Sequence, residues 1–181
     1  MKIGCVIVSY NVSGIITRAV ESIKPYVDKV VVIDHSQKAA KVYREVDKLD
    51  VMVRHTGRNK GHGLGLHMGI EMLDCEKIIL MDSDAVLKDP KVIDIMLNMF
   101  DEKTYGVGQV NQRFGVDYLH PYFAMIDREK YFSYKPLINH GAPFKDTMGD
   151  IHDKVVVKGI KELPKYVWHE GRRTRKDGKK I

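Results

Sequence analysis

Two aspartates separated by one serine, Asp82 and Asp84, are the strongest chemical feature of this 181-residue sequence. They follow the apolar run Lys77–Met81, which has the length of a buried strand. Two carboxylates this close repel each other unless a cation or a proton offsets their charge. Mg²⁺ and Mn²⁺ prefer oxygen ligands and bind through one or two carboxylates together with substrate phosphates. The tripeptide therefore indicates a divalent metal site; the alternative is a solvated turn whose aspartates cap residues 85–87.

Polar residues also stand at the ends of two earlier apolar runs. Ser9 and Asn11 follow the run 2–8, and Asp34 ends the run Lys29–Asp34. A strand-end acid can accept a hydrogen bond from the N–H of a base or from the hydroxyls of a ribose. The alternative for Asp34 is an Asx-turn with Ser36.

A glycine-dense segment, residues 57–69, precedes the run that leads to Asp82. It lacks the Gly-Lys-Ser/Thr of a P-loop, and it does not follow the first strand as a dinucleotide fingerprint does. Its glycines let the backbone approach a ligand closely, or they allow a helix to pack tightly on a neighbouring strand. Both interpretations remain open at this point.

The elements that position these residues alternate between strand and helix. Strands are predicted at 2–8, 29–34, 51–54, 77–81, 105–110 and 165–169, with helices between them. Asn11 or Ser13 is expected to cap the first helix, residues 147–158 are predicted to form the last, and the aromatic stretch after residue 110 is expected to be irregular. This order predicts an α/β fold with a mostly parallel sheet and helices on both faces, and ligands bind beyond the carboxyl ends of such strands.

Composition narrows the class of protein. With 44% hydrophobic and 30% charged residues, the chain is not disordered, and its longest apolar stretches are too short to cross a membrane. The N-terminus lacks a signal-peptide layout, and Cys5 and Cys75 suit reduced core thiols, so we expect a soluble cytoplasmic domain. Residues 171–181 carry +5 of the net charge of +6. This basic tail either attracts phosphates or anionic lipid headgroups, which would make the protein peripheral to a membrane, or serves solubility alone.

Four segments together resemble family 2 glycosyltransferases of the GT-A fold. They are residues 6–11, 31–36, 58–70 and 78–84, and the resemblance covers residues 3–88 well. It implies a Rossmann-like three-layer α/β/α domain over residues 1–181. In that domain, residues 1–104 would form the nucleotide-sugar-binding half, 105–170 the acceptor half and 171–181 a basic tail.

The resemblance also implies roles for residues that match the family's motifs. Those near the nucleotide base or ribose would be Ser9, Asn11 and Asp34, and those bordering the nucleotide pocket would be Arg58, Asn59 and Gly61. Asp82 would face the ribose or the sugar and share the metal, and Asp84 would hold Mn²⁺ or Mg²⁺ on the diphosphate.

The second half departs more from the family. A glutamate is missing where the family supplies its general base, so Asp150 and Asp146 compete for that role. His169 falls where many GT-A enzymes place a late histidine that reaches the metal or the diphosphate; the alternative is a plain strand-end histidine. Arg172 and its basic neighbours would close over the diphosphate.

The expected function is metal-dependent, inverting transfer of a sugar from a UDP- or GDP-sugar to a glycan, lipid or protein acceptor. One alternative is a non-catalytic GT-A-like module that binds the nucleotide sugar without turnover. Another is a phosphohydrolase of the haloacid-dehalogenase type, with Asp82 as nucleophile, although that nucleophile normally follows the first strand. No nucleic acid is expected as a partner, because only the tail favours one.

Overall fold

The computed structural model describes residues 1–38, 40–113, 116–134 and 155–169 of the chain. Its elements, in chain order, are β1 (Ile3–Ser9), α1 (Ile16–Ile23), a 3₁₀ turn (Lys24–Tyr26), β2 (Lys29–Asp34), α2 (Lys41–Val46), β3 (Met52–His55), α3 (His62–Met72), β4 (Lys77–Asp82), β5 (Ala85–Leu87), α4 (Lys91–Asn98), β6 (Thr104–Arg113), β7 (Val116–Asp127), α5 (Arg128–Tyr134), β8 (Val156–Gly159), α6 (Leu163–Tyr166) and β9 (Val167–His169). None of these described helices is long and apolar enough to cross a membrane.

Seven strands form one sheet in the order β3-β2-β1-β4-β7-β6-β8, and β5 pairs with β9 in a separate two-stranded sheet. Strands β1 to β4 are parallel to one another, β7 runs antiparallel to both β4 and β6, and β8 is parallel to β6. The predicted mostly parallel sheet is therefore confirmed, with β7 as its one reversed strand within the described residues.

Hydrophobic residues on β1 alternate between the two faces of the sheet. Cys5 and Ile7 pack in a core with α1, and Val6 and Val8 pack in a second core with α3. Because both faces of β1 are covered, its side chains are apolar without a break, as expected of a central parallel strand. This confirms the three-layer α/β/α arrangement, and both Cys5 and Cys75 are buried free thiols.

Helix α3 lies unusually close to β1. A Cβ atom added at Gly65 would lie 2.8 Å from Val8 Cγ1, and one added at Gly69 would overlap Val6 Cγ1. These two glycines are one helical turn apart, so they line one face of α3. The structure therefore supports the packing interpretation for Gly65 and Gly69, whereas Gly61 takes a φ of +89° just before the helix.

The predicted side-chain cap of α1 is wrong. The helix begins at Ile16, and its N-cap residue Ile15 makes no side-chain capping bond. Ser13 instead donates its hydroxyl to Glu45 Oε1 at 2.8 Å, and the Gly14 N–H donates to Glu45 Oε2 at 2.7 Å. A carboxylate from α2 thus holds the loop that the prediction assigned to a local cap.

The prediction of an irregular aromatic stretch after residue 110 is also wrong. Most of it is β7, in which Tyr118, Tyr122 and Phe123 are buried. The strand contains Pro121, and the register of β6 against β7 shifts opposite it, between Gly108 and Gln109. A proline is tolerated in a sheet at such a bulge.

The prediction of a helix over residues 147–158 is wrong for its C-terminal part, the part that the structure describes. Residues 156–159 form β8 along the edge of β6, in keeping with the β-branched run 155–157, and residues 147–154 lie outside the described ranges. The last predicted strand is shorter than expected, because Leu163–Tyr166 is helical and only Val167–His169 pairs with β5.

Candidate functional site

The carboxyl ends of β2, β1 and β4 lie side by side. The sheet register pairs Ser9 with Asp34 and Val8 with Asp82. From β1 the chain continues to β2 and β3 on one side, whereas β4 lies on the other side, so the strand order reverses between β1 and β4. Ligands of open α/β sheets bind in the crevice at such a reversal. The structure thus brings Ser9, Asp34 and Asp82 to the edge where a ligand is expected.

Asp34 is buried and its carboxylate is surrounded by hydrogen-bonding groups. Its Oδ1 accepts from the Ser36 hydroxyl at 2.7 Å and from the Ser36 N–H at 3.2 Å. Its Oδ2 lies 3.0 Å from His55 Nδ1, and His55 Nε2 lies 2.7 Å from Asp47 Oδ1. The Asx-turn with Ser36, which was the alternative interpretation of Asp34, is present. His55 connects Asp34 to a second carboxylate nearer the surface.

Ser9 and Asn11 continue this cluster on β1. The Ser9 hydroxyl is buried and has no hydrogen-bond partner within the described ranges, which is uncommon for a buried polar group. Asn11 has a φ of +56°, a conformation that asparagine tolerates better than most residues. Its N–H donates to Ser36 Oγ at 2.9 Å. Ser36 thus holds both the Asp34 carboxylate and the loop that follows β1.

His35 lies beneath the loop that carries Arg58, Asn59 and Gly61. Thr56 Oγ1 donates to the Arg58 carbonyl oxygen at 2.7 Å, so it accepts from His35 Nδ1 at 2.8 Å and leaves Nε2 without its proton. Burial lowers the pKa of His35 below its usual value of 6.5, which favours this neutral form.

The loop itself is exposed, and a hydrogen bond from its backbone to one of its own side chains helps to hold its shape. The Gly61 N–H donates to Asn59 Oδ1 at 2.8 Å, and Arg58, Asn59 and Gly61 are all exposed. Both charged and amide groups of the loop are thus accessible beside the buried Asp34 cluster. The structure brings these three predicted residues together at the same edge of the sheet.

Asp82 and Asp84 lie at the end of β4 and in the turn to β5. Asp82 is half-buried, with 21% of its side chain exposed, and its Oδ1 lies 3.4 Å from Nε2 of His62, the first residue of α3. Asp84 is also half-buried. Two adjacent acids are one of the ligand sets that suit a hard divalent cation already carrying phosphate oxygens.

The β5–β9 pairing brings the C-terminal part of the chain to this turn. The backbone of His169 is opposite that of Ala85, the residue that follows Asp84. Among the residues that the structure describes, no three or more His, Cys, Asp or Glu side chains form a cluster that could hold a metal ion by themselves. The described acids fit a cation that takes its remaining ligands from a substrate.

Three predicted site residues lie outside the described ranges. They are Asp146 and Asp150, the two candidates for the general base, and Arg172 of the basic tail.

Sequence reasoning missed three histidines at this edge, His35, His55 and His62. Each touches or adjoins a predicted acid, but nothing in the sequence pairs His55 or His62 with a particular partner across the fold. Of the three, only His35 could have been identified from the sequence, since it directly follows Asp34 at a strand end.

The sheet order and the strand-end acids define an α/β domain of the GT-A fold. The chain belongs to glycosyl transferase family 2, whose sequence profile matches residues 5–154. The haloacid-dehalogenase alternative is therefore dropped, in agreement with the position of Asp82 after the fourth strand rather than the first. No curated protein matches the chain significantly by sequence.

Solved structures with the same fold include the following three. The mannosyltransferase PcManGT from Pyrobaculum calidifontis, solved with GDP-Man and Mn²⁺, is 16% identical with a TM-score of 0.67, over 90% of this chain and 55% of that one. S. aureus TarS 1-349 with UDP-GlcNAc is 14% identical with a TM-score of 0.63, over 88% and 56%. Glucosyl-3-phosphoglycerate synthase from Mycobacterium tuberculosis is 15% identical with a TM-score of 0.60, over 87% and 69%. The chain thus spans little more than half the length of the first two.

Proposed function

We propose that this chain transfers a sugar from a nucleotide-diphosphate donor to an acceptor hydroxyl. The observation that carries the proposal is the shared edge of β2, β1 and β4, where the Asp34 cluster, the unsatisfied Ser9 hydroxyl and the Asp82–Asp84 pair meet at a reversal of strand order. Membership of glycosyl transferase family 2 supports the same reaction class. On this proposal residues 1–104 bind the donor, 105–170 receive the acceptor and 171–181 form a tail.

The nucleoside is expected on the β2 side of the edge. Each oxygen of Asp34 can accept more than one hydrogen bond, so the contacts with Ser36 and His55 leave it acceptor capacity for a base or a ribose. Since Asp34 is buried, the exposed Arg58 and Asn59 would meet the donor first, and the Ser9 hydroxyl would gain a partner once the donor is in place. UDP- and GDP-sugars are both proposed donors, as the proteins of like fold were solved with each.

The diphosphate is expected on the β4 side. Asp84, Asp82 and His169 are proposed to hold a Mn²⁺ or Mg²⁺ ion there, and such an ion supplies positive charge that stabilises a departing diphosphate. Neighbouring structures that contain Mn²⁺ support a divalent metal. Arg172 is proposed to add positive charge on the same group.

For the acceptor, a carboxylate must take the proton of the attacking hydroxyl. We assign this to Asp150, with Asp146 as the alternative. The acceptor oxygen forms the new bond to the anomeric carbon as the bond to the diphosphate breaks, so the configuration inverts and the electron pair leaves on the diphosphate. The acceptor is a glycan, a lipid or a protein, and the proposed compartment is the cytoplasm.

The test is a thermal-shift panel of UDP- and GDP-sugars, each with and without Mn²⁺. A donor at about one hundred times its Kd should stabilise the native chain by about 2.7 kcal/mol, which at this size is a shift of roughly 5–10 °C. Asp84→Asn should abolish the part of the shift that depends on Mn²⁺ and leave the melting temperature without ligand nearly unchanged. Asp74→Asn, at an exposed acid on the opposite edge of the sheet, is the matched control and should behave as wild type.

Two outcomes would contradict the proposal. One is that no nucleotide sugar stabilises the chain in the presence of Mn²⁺. The other is that Asp84→Asn responds to donor and Mn²⁺ as the wild type does, which would remove the metal assignment.

A second candidate function is a binding module without turnover. The feature that favours it is the absence of a glutamate in the stretch 145–153, where the family supplies its general base. Such a module would give the same thermal shifts but no transfer of sugar to any acceptor, so a radiolabelled-donor assay separates the two.

A further inference from the structure

The only tryptophan of the chain, Trp168, stands on the outside of the fold. It lies in β9 with 48% of its surface exposed, whereas its neighbour Val167 is buried. Its strand partner is Val86 of β5, two residues beyond Asp84. The β5–β9 sheet therefore presents an indole to solvent beside the candidate diphosphate site. Single exposed apolar side chains are common on protein surfaces, so a functional role for Trp168 has to be argued from the groups around it.

A cationic side chain lies directly over the ring of Trp168. Lys88 Nζ lies 4.5 Å from the centroid of the indole ring, a cation–π contact. The Lys88 N–H donates to the Tyr166 carbonyl oxygen at 2.7 Å, so the backbone contact between these two segments continues one residue beyond β5 and β9. Lys91, at the start of α4, is exposed as well. Asp89 lies between these lysines and is half-buried, so the folded surface supplies the ring and a cation over it, and the net positive charge comes from the tail.

The sequence beyond Trp168 adds charge of the same sign. Residues 171–181 contain six basic residues and one acid. A polybasic segment is attracted to anionic lipid by about 1 kcal/mol per lysine or arginine near the surface. An indole favours the headgroup region, because one end of the ring is apolar and the other carries an N–H donor. The indole and the basic segment are adjacent in the sequence, so both would act on the same lipid surface.

We propose that Trp168, with Lys88 and the basic tail, docks the protein on an anionic bilayer, with the indole inserted at the headgroup level. Charge complementarity selects the partner, since the tail carries a net charge of +5 and Lys88 places a further cation over the ring. This proposal does not depend on sugar transfer. It would also hold a membrane-borne acceptor next to the turn that carries Asp84.

The sole tryptophan makes the test site-specific, because all indole emission comes from position 168. The full chain is titrated with vesicles of phosphatidylcholine alone and with vesicles containing about 30% phosphatidylglycerol. We expect a blue shift of the emission and co-sedimentation with the anionic vesicles only, both lost at about 0.5 M NaCl because salt screens the charges. Short duplex DNA and maltooligosaccharides are titrated in parallel and should leave the emission unchanged.

Two variants separate the contribution of the indole ring to vesicle binding from that of the basic tail. Trp168→Ala should weaken co-sedimentation roughly five- to fiftyfold through the lost apolar burial. Removal of residues 171–181 should weaken it by at least about a hundredfold at low salt. Tyr26→Ala is the control, since Tyr26 is 46% exposed but lies before β2 at the opposite edge of the sheet. Circular dichroism establishes that each variant is folded.

The proposal is overturned if anionic vesicles leave the emission unchanged, or if Trp168→Ala binds them as tightly as wild type. It is also overturned if DNA or the oligosaccharides shift the emission and vesicles do not. Because donor binding is measured separately by thermal shift, failure here leaves the proposed glycosyl transfer standing, and the reverse is equally true.

Discussion

Replacement of Gly69 by alanine tests whether the glycines of α3 serve packing. The added methyl would overlap Val6 Cγ1, and Val6 is wholly buried in the central strand. Overpacking of a tight core costs about 1–3 kcal/mol, and the absence of free space at Val6 points to the upper end of that range. Alanine regains about 1 kcal/mol of helix propensity over glycine. The net loss of stability should therefore be about 2 kcal/mol, or roughly 4–8 °C in Tm for a chain of this size.

Urea denaturation at an unchanged m-value measures this loss. Val6→Ala removes the methyl groups that the new side chain would meet, so Gly69→Ala should cost little in that background. The double-mutant cycle should give a coupling energy of at least about 1 kcal/mol. Donor-induced thermal shifts should be unaffected, because Gly69 lies two turns into α3 from the site edge. An unchanged or raised stability of the single variant, or a coupling below about 0.5 kcal/mol, would refute the packing argument.

Two further predictions concern the site. Asp150→Asn should lower transfer by roughly 10²–10⁴-fold with donor affinity nearly unchanged, whereas Asp146→Asn should cost about 1 kcal/mol or less of stability; initial-rate assays and donor titrations check both, and exchanged outcomes would move the base to Asp146. For His35, burial lowers the folded pKa below 6.5, so as pH falls below about 6.5 the unfolded chain takes up a proton that the folded chain does not. Stability should therefore fall as pH drops from about 7.5 to 5.5, and His35→Asn should flatten that slope in urea titrations; an equal slope in both proteins would contradict the assignment.

The sheet could be predicted from the sequence, because the hydrophobic pattern of each strand shows how many of its faces are buried. The unbroken apolar runs of β1, β2 and β4 belong to strands covered on both faces, and each run stops at a polar residue. Parallel strands separated by helices place those stops at one edge, so the meeting of Ser9, Asp34 and Asp82 follows from order alone.

The second half resisted prediction because its strands depend on distant partners. Strand β7 contains a proline, and only the bulge against β6 makes it acceptable there. Strand β8 lies at an edge of the sheet, and no local sequence pattern predicts that position. The β-branched run 155–157 suits either a strand or the buried face of a helix.

The sequence by itself determined the α/β class, the family and the strand-end acids, because these depend on residue order and on the period of hydrophobic residues. The tertiary structure alone decided which distant side chains contact those acids and which segments lie beside them. It placed His55 against Asp34 and His62 against Asp82, paired the backbone of His169 with that of Ala85, and put Lys88 over Trp168. The physical reason is that each of these contacts joins residues far apart in the chain, whose distance is set by sheet register and helix packing.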